Sequence, residues 1–262
     1  MKIALVQMEI KEKNKQGNIE HAIEMLEEAC PGRDLVVLPE IWTTGYSLGK
    51  LEEEAEPGLD SFLMQRLSAI ARQNNCNLAA GSVPMKPNGN IYNDAIVFNR
   101  AGELVSNYGK MHLFGLYKEE RFFAPGTMCR TYKLDDITCG SAICYDMRFP
   151  ELFRHLALEG AEMVILPAEW PTPRGNIWRV LTQARAMENH MFMCTVNCVG
   201  QFKSEVFYGH SMLVAPDGRI IVEGGSDEDI YYGEVDWEEI VQVRKTMNVL
   251  QDIRPEFYPH KE

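Results

Sequence analysis

The chain has 262 residues, of which 45% are hydrophobic, and its 38 acidic against 26 basic side chains give a formal charge of −12. That size and apolar content are enough for one large core. The acidic balance repels phosphate backbones, and no basic run with interleaved aromatics offsets it, so nucleic acid is set aside as a partner.

At the amino terminus "KIALVQM" is too brief an apolar run for a signal peptide or a membrane span and reads as a first strand. "NIEHAIEMLEEAC" then places Ile19, Ile23 and Leu26 at helical spacing, with Asn18 as the cap. "DLVVLPE" is a strand that delivers Glu40 at its end, and "LDSFLMQRLSAIARQNN" repeats the helical pattern. "CNLAAGSV" and "NDAIVFN" are strands, and "LVSNYGKMHLF" carries Lys110 past the end of another. "ITCGSAICYD" runs as a buried strand into a turn at Cys144, after which "PELFRHLALEG" starts a helix with proline in its first turn and stops at Gly160. After the strand "AEMVILPAE", the helix "GNIWRVLTQARAMENH" is expected to bury a stripe of Ile177, Leu181, Ala184 and Met187. "FMCTVNCVG" is a further strand, and "SMLVAPDGRIIVEG" is a hairpin turned at Pro-Asp-Gly. Residues 241–262 lack a sustained helical stripe and read as a carboxy-terminal extension, with Met247, Leu250, Ile253, Phe257 and Tyr258 available to a neighbouring subunit or to the extension's own domain. Strands alternating with helices, without a linker, imply one α/β layered domain over 1–262.

Seven cysteines, flanked largely by Met, Ile, Val and Ala, read as reduced thiols of a cytoplasmic protein. Cys194, Cys198 and His190 have the residue types of a metal site, but they lie in or beside a strand whose alternate side chains belong in a core, and no metal is expected. Cys144 is different. It stands at a strand-to-helix elbow, where the N–H of Tyr145 can face the same reacting centre. By itself Cys144 reads equally as a packed core thiol. Glu40, delivered at a strand end, could take a proton from such a thiol and return one to a leaving amine. Lys110, among aromatic and apolar residues, could stabilise the negative oxygen of a tetrahedral intermediate.

Together these stretches resemble the nitrilase, or carbon–nitrogen hydrolase, superfamily. Its Glu-Lys-Cys triad matches Glu40 in "VVLPEIW", Lys110 in "YGKMHLF" and Cys144 in "ICYDMRFPEL"; the likeness runs from "IALVQM" through "ARAMENHMF" to "APDGRI" and "RPEFY". The resemblance implies a four-layer αββα sandwich, a homodimer, and Glu119 as a second active-site carboxylate, with Glu120 the adjacent alternative. It implies amide hydrolysis through a cysteine thioester, with small-molecule amide and water as reactants and no cofactor.

"ILPAEWPTPRGNIW" is expected to supply pocket wall. Trp170 can pack on an aliphatic chain or anchor its loop; Arg174 can pair with a substrate carboxylate or face water; Arg148 is read as fixing the nucleophile turn, with carboxylate binding as the alternative. "CYDMRFPEL" and "PAEWP" look most like omega-amidases acting on 2-oxoglutaramate or 2-oxosuccinamate. N-carbamoyl amino acids, deaminated glutathione and nitriles remain alternative substrates, and a cysteine-dependent acyltransferase or a non-catalytic binding protein are the alternatives of other classes.

Overall fold

Strand alternation decides the architecture, because strands with apolar residues on both faces must be covered on both. In the computed structural model, which describes residues 1–257, β1 (Lys2–Gln7) pairs in parallel with β2 (Leu35–Val37), and β2 with β3 (Asn77–Met85). Antiparallel β4 (Tyr92–Phe98) and β5 (Leu104–Gly109) extend this sheet. The second sheet starts with β6 (Tyr132–Leu134) and continues through β7 (Ile137–Ser141), β8 (Met163–Ala168) and β9 (Phe192–Asn197), the last three parallel. After a two-stranded ribbon, β10 (Gln201–Phe202) and β11 (Glu205–Val206), the hairpin of β12 (Met212–Val214) and β13 (Ile220–Glu223) completes that sheet. β14 (Asp229–Glu234) then returns to pair antiparallel with β1. Two six-stranded sheets result, in the orders β14-β1-β2-β3-β4-β5 and β13-β12-β9-β8-β7-β6.

The helices are α1 (Lys15–Ala29), the single turn α2 (Leu51–Glu54), α3 (Phe62–Asn74), α4 (Pro150–Leu158), α5 (Gly175–Asn189) and α6 (Glu238–Thr246). Ala4 and Val6 of β1 share a core with Leu26 of α1 and Leu67 of α3, whereas Ile3 and Leu5 share one with Ile165 and Val196 of the other sheet. On that second sheet Val164 and Leu166 pack in the core that holds Phe153 of α4 and Trp178 of α5. The layers are thus α, β, β, α, as the resemblance implies. No helix among the described residues is long and apolar enough to cross a membrane.

Three sequence expectations change. Asn18 does not cap α1, which begins a turn earlier; it is buried and joins two loops, its side chain accepting from Lys11 N–H at 3.0 Å and donating to Lys11 O at 2.8 Å and Thr43 O at 3.0 Å. The expected α5 stripe is only partly covered: Ile177 and Met187 are 37% and 46% exposed, with Val180 beside them 63%, while Leu181 is half-buried against the second sheet's core and Ala184 is half-buried. Its buried face is instead Trp178, Thr182, Arg185, Ala186 and Asn189. Burial of these side chains is permitted because their donors find acceptors: Arg185 donates to Met147 O from Nε at 3.0 Å and Nη2 at 2.8 Å, Thr182 to Trp178 O, and Asn189 to Arg185 O. Finally, 241–246 complete α6 rather than beginning a non-helical tail. Met247 and Phe257 of the extension are exposed, while Leu250 packs on the α4–α5 core; Tyr258 lies outside the described residues.

An irregularity in β3 supports the chain where it enters Glu40. The β3–β4 register shifts between Ala79 and Ser82, and Gly81 sits there at φ 62°. A Cβ on Gly81 would lie 2.0 Å from Pro39 O and 2.8 Å from Leu38 O, so the backbone leading into the glutamate rests directly on a glycine. Ser82 N–H donates to Pro39 O at 3.1 Å and its Oγ accepts Ile41 N–H at 3.0 Å. Gly81→Ala is expected to destabilise the protein by more than about 3 kcal/mol, combining positive-φ strain with a backbone clash. Urea unfolding midpoints test this, and a loss below about 1 kcal/mol would show that the Pro39 segment can move aside.

Candidate active site

Chain ends of several strands converge at one place. Glu40 lies three residues beyond β2, Lys110 directly follows β5, Cys144 lies three residues beyond β7, and the residue after β8 is Glu169. Both Glu40 and Cys144 enter sharp turns: Ile41, the residue after the glutamate, has φ 40°, and Cys144 itself has φ 45°. Such values are unfavourable for non-glycine residues, and strongly so for a β-branched one, and persist only where surrounding bonds hold them.

The bonds that hold the cysteine turn come from Asp146, which is fully buried. Its Oδ2 accepts Ile143 N–H at 2.9 Å and Tyr108 O–H at 2.8 Å, while Oδ1 accepts His112 N–H at 3.0 Å and meets His112 Nδ1 at 2.7 Å. Arg185 of α5 holds the next carbonyl, Met147 O, from below. This fastening, rather than Arg148, fixes the short helical turn Cys144–Arg148.

Lys110 is completely buried between two buried carboxyls, its ammonium 2.8 Å from Glu40 Oε1 and 2.8 Å from Glu119 Oε1. Glu120 is exposed, so of the two adjacent glutamates it is Glu119 that faces inward. Each carboxyl has further donors. Glu40 Oε1 accepts from Asn93 Nδ2 at 2.9 Å and Oε2 from Glu169 N–H at 2.9 Å; Glu119 accepts from Tyr46 O–H at 2.7 Å and Phe114 N–H at 2.8 Å.

Burial raises the Glu40 carboxyl above the usual range more than the Lys110 charge lowers it. Lys110 loses hydration on burial, yet the negative charges of Glu119, Glu40 and Cys144 more than compensate and hold it well above a free lysine. Burial, then the neighbouring Glu40 carboxylate, pushes the Cys144 thiol well up, so the resting cysteine is protonated beside a carboxylate able to receive that proton.

A narrow pocket opens onto Cys144 and Tyr145, and Trp170, Arg148 and Arg174 all line it, with Phe114 and Glu169. The Arg148 guanidinium lies over the Trp170 ring, 5.2 Å from its centre. Arg174 lies over Phe114 at 5.6 Å and pairs with Glu205 at 3.6 Å. Trp170 is 3% exposed, anchored through its indole N–H to Arg174 O at 2.8 Å and its backbone N–H to Asn197 Oδ1 at 2.6 Å. Sequence reasoning did not single out Asn93, Tyr46, Asp146 or Glu169. For Glu169 a signal existed: "LPAEW" repeats the strand-end pattern of "LPEIW" around Glu40.

The metal-type residues are dispersed. Cys194 lies between the sheets, Cys198 belongs to the core of the first sheet and its helices, and His190 is the left-handed residue ending α5. Among the described residues no group of His, Cys, Asp and Glu is arranged to hold a metal.

Residues 2–245 match the carbon-nitrogen hydrolase family. The chain is 36% identical over 256 residues to a 2-oxoglutaramate amidase of Bacillus subtilis, covering 98% of both chains. Among solved structures, Nit3 of Saccharomyces cerevisiae, a member of the nitrilase superfamily, superposes with a TM-score of 0.87 at 33% identity, covering 94% of each chain. An amidase from Nesterenkonia sp. AN1, whose active-site cysteine carries an acrylamide added by Michael addition, superposes at 0.86 with 26% identity over 98% of each chain.

Proposed function

Because the chain belongs to the carbon-nitrogen hydrolase family, we propose that Cys144 is its nucleophile, Glu40 its acid–base group, and Lys110 with the Tyr145 N–H its oxyanion donors. The reaction class, hydrolysis of a small amide by a cysteine nucleophile, follows from the family match and the amidase relatives. The observation that carries the residue assignment is the buried ion cluster of Glu40, Lys110 and Glu119 beside a protonated thiol on a strained turn.

In the proposed sequence the Cys144 proton passes to Glu40 as sulfur bonds to the amide carbon. The carbonyl electron pair moves onto oxygen, where Lys110 and the Tyr145 N–H meet it. Collapse of the tetrahedral intermediate breaks the C–N bond, Glu40 gives its proton to nitrogen, and ammonia leaves. Water then attacks the thioester, Glu40 accepts its proton, and the acid product departs as Cys144 recovers the proton. Glu119 acts by holding Lys110, in which role Tyr46 and the Phe114 N–H support it.

The substrate proposed is a short amide bearing a carboxylate, such as 2-oxoglutaramate or 2-oxosuccinamate. The two guanidiniums at the pocket support this choice, with Trp170 as an apolar wall. A homodimer is the proposed assembly, supported by the uncovered apolar side of α5, and the seven free thiols support a reducing, cytoplasmic setting. The acidic balance supports a role without nucleic acid.

Ammonia release should be measured across 2-oxoglutaramate, 2-oxosuccinamate, N-carbamoyl amino acids and simple nitriles. The two oxo-amides are expected to exceed the others in kcat/KM by at least about tenfold, on the strength of a charged contact to their carboxylate. Preferential turnover of a carbamoyl compound or a nitrile would refute the substrate assignment while leaving the reaction class in place.

A further inference from the structure

Glu169 is the one pocket carboxyl that the proposed reaction does not use. It is 1% exposed, and neither carboxyl oxygen has a hydrogen-bond partner, an unfavourable arrangement unless something else supplies one. The side chain lines the same pocket as Cys144, and its Oε1 lies 3.8 Å from where a Cβ on Gly45 would stand. Burial, then the nearby Glu40 carboxylate, pushes this carboxyl well above its usual range. In either protonation state a carboxyl oxygen is left facing the pocket as a hydrogen-bond acceptor, and burial favours the form that keeps the proton.

The donors on Glu40 show what must come close to it. Oε1 already accepts from Lys110 and Asn93, at 2.8 and 2.9 Å, whereas Oε2 accepts the Glu169 backbone N–H, at 2.9 Å, and the Cys144 thiol also bonds this carboxyl. In the proposed reaction the less occupied Oε2, which the backbone N–H of residue 169 adjoins, carries the proton to the leaving nitrogen. A primary amide nitrogen carries two hydrogens as well as the lone pair that takes up the Glu40 proton. We infer that Glu169 is a specificity-determining residue: its carboxyl oxygen accepts an N–H of the departing nitrogen, and so selects amides that release ammonia over those that release an alkylamine. This rests on the roles proposed for Cys144 and Glu40. An N-alkyl group would set carbon against a buried acceptor and leave it unpaired.

The test compares kcat/KM for 2-oxoglutaramate and its N-methylamide, both read as 2-oxoglutarate formed, in the wild type, Glu169→Gln and Glu169→Leu. The wild type is expected to favour the primary amide. Glutamine keeps a carbonyl acceptor at that place and should preserve that preference; leucine removes it, and the preference should shrink roughly 10- to 100-fold through a fall on the primary amide. Should the leucine variant not fold, Glu169→Ala makes the same comparison. A preference unchanged in the leucine or alanine variant overturns the inference, as does a glutamine variant that loses it equally. Absence of wild-type turnover on 2-oxoglutaramate would overturn the substrate reading and this one with it, whereas turnover with an unaltered ratio overturns this one alone.

Discussion

Cys144→Ala is expected to lower amide turnover by at least about 10⁵-fold, the scale on which covalent catalysis fails when its nucleophile is removed. Folding should survive. The substitution deletes one sulfur atom from a residue that is 5% exposed, a loss of about 1 kcal/mol. The turn is held by the Asp146 carboxylate and by Arg185, through hydrogen bonds that do not involve the thiol. Ammonia release and urea midpoints measured on the same preparation separate the two effects. Activity within tenfold of wild type would place the nucleophile elsewhere and return Cys144 to the role of a packed core residue.

Lys110→Met should damage both chemistry and folding. Losing an oxyanion donor lowers kcat by about 10²–10³-fold, and disorder in the Glu40–Glu119 pair should add to that. Removing the cation also leaves two buried carboxyls, each 0% exposed, without their countercharge, an imbalance of roughly 3–5 kcal/mol at neutral pH. The pH dependence has a definite sign. Burial already raises Glu40 above its unfolded value, and without Lys110 it rises further. A group raised on folding favours the native state when protonated: its contribution is complete below the ordinary carboxylate value of about 4.3 and disappears as pH climbs through the raised value. The stability gap between variant and wild type should accordingly narrow as pH falls from neutral toward the ordinary carboxylate range. Urea titrations at two pH values read this directly, and a gap that widens on acidification would contradict it.

Glu40 and Cys144 were readable as candidates because each stands past the end of an apolar strand, a place where a charged or nucleophilic side chain has no packing reason to be, whereas Lys110 follows the more polar β5 and was picked out by its aromatic and apolar neighbours and by the family resemblance. A layered α/β domain was readable because β1, β8 and β9 have apolar residues at successive positions, as a doubly covered sheet requires; the four-layer order came from the family resemblance. Other features depend on partners far along the chain. Nothing near Asn18 announces that Lys11 and Thr43 will need it inside, so its helix-capping chemistry pointed to the wrong role. In α5 the apolar period was correct and the buried face was offset from the one expected, because Arg185, Thr182 and Asn189 look like surface residues until Met147 O and the helix's own carbonyls are seen to receive them. Which of Glu119 and Glu120 turns inward likewise depends on Tyr46 and Lys110, dozens of positions upstream and nine residues away, respectively. Glu169 shares the strand-end pattern of Glu40 and was legible on the same physical ground, although it was not singled out.

Helix α5 thereby serves two surroundings at once. Its inner side grips the carbonyl of Met147, three residues from the nucleophile, while its outer side leaves Ile177, Val180 and Met187 uncovered. A helix is stiff along its length, so a body seated against those outer residues presses on the same rod that steadies the cysteine turn. If the proposed homodimer forms on that side, assembly and alignment of the cysteine turn share a single mechanical part, and a substitution on the outward side of α5 is expected to reach the reaction without altering any residue that lines the pocket.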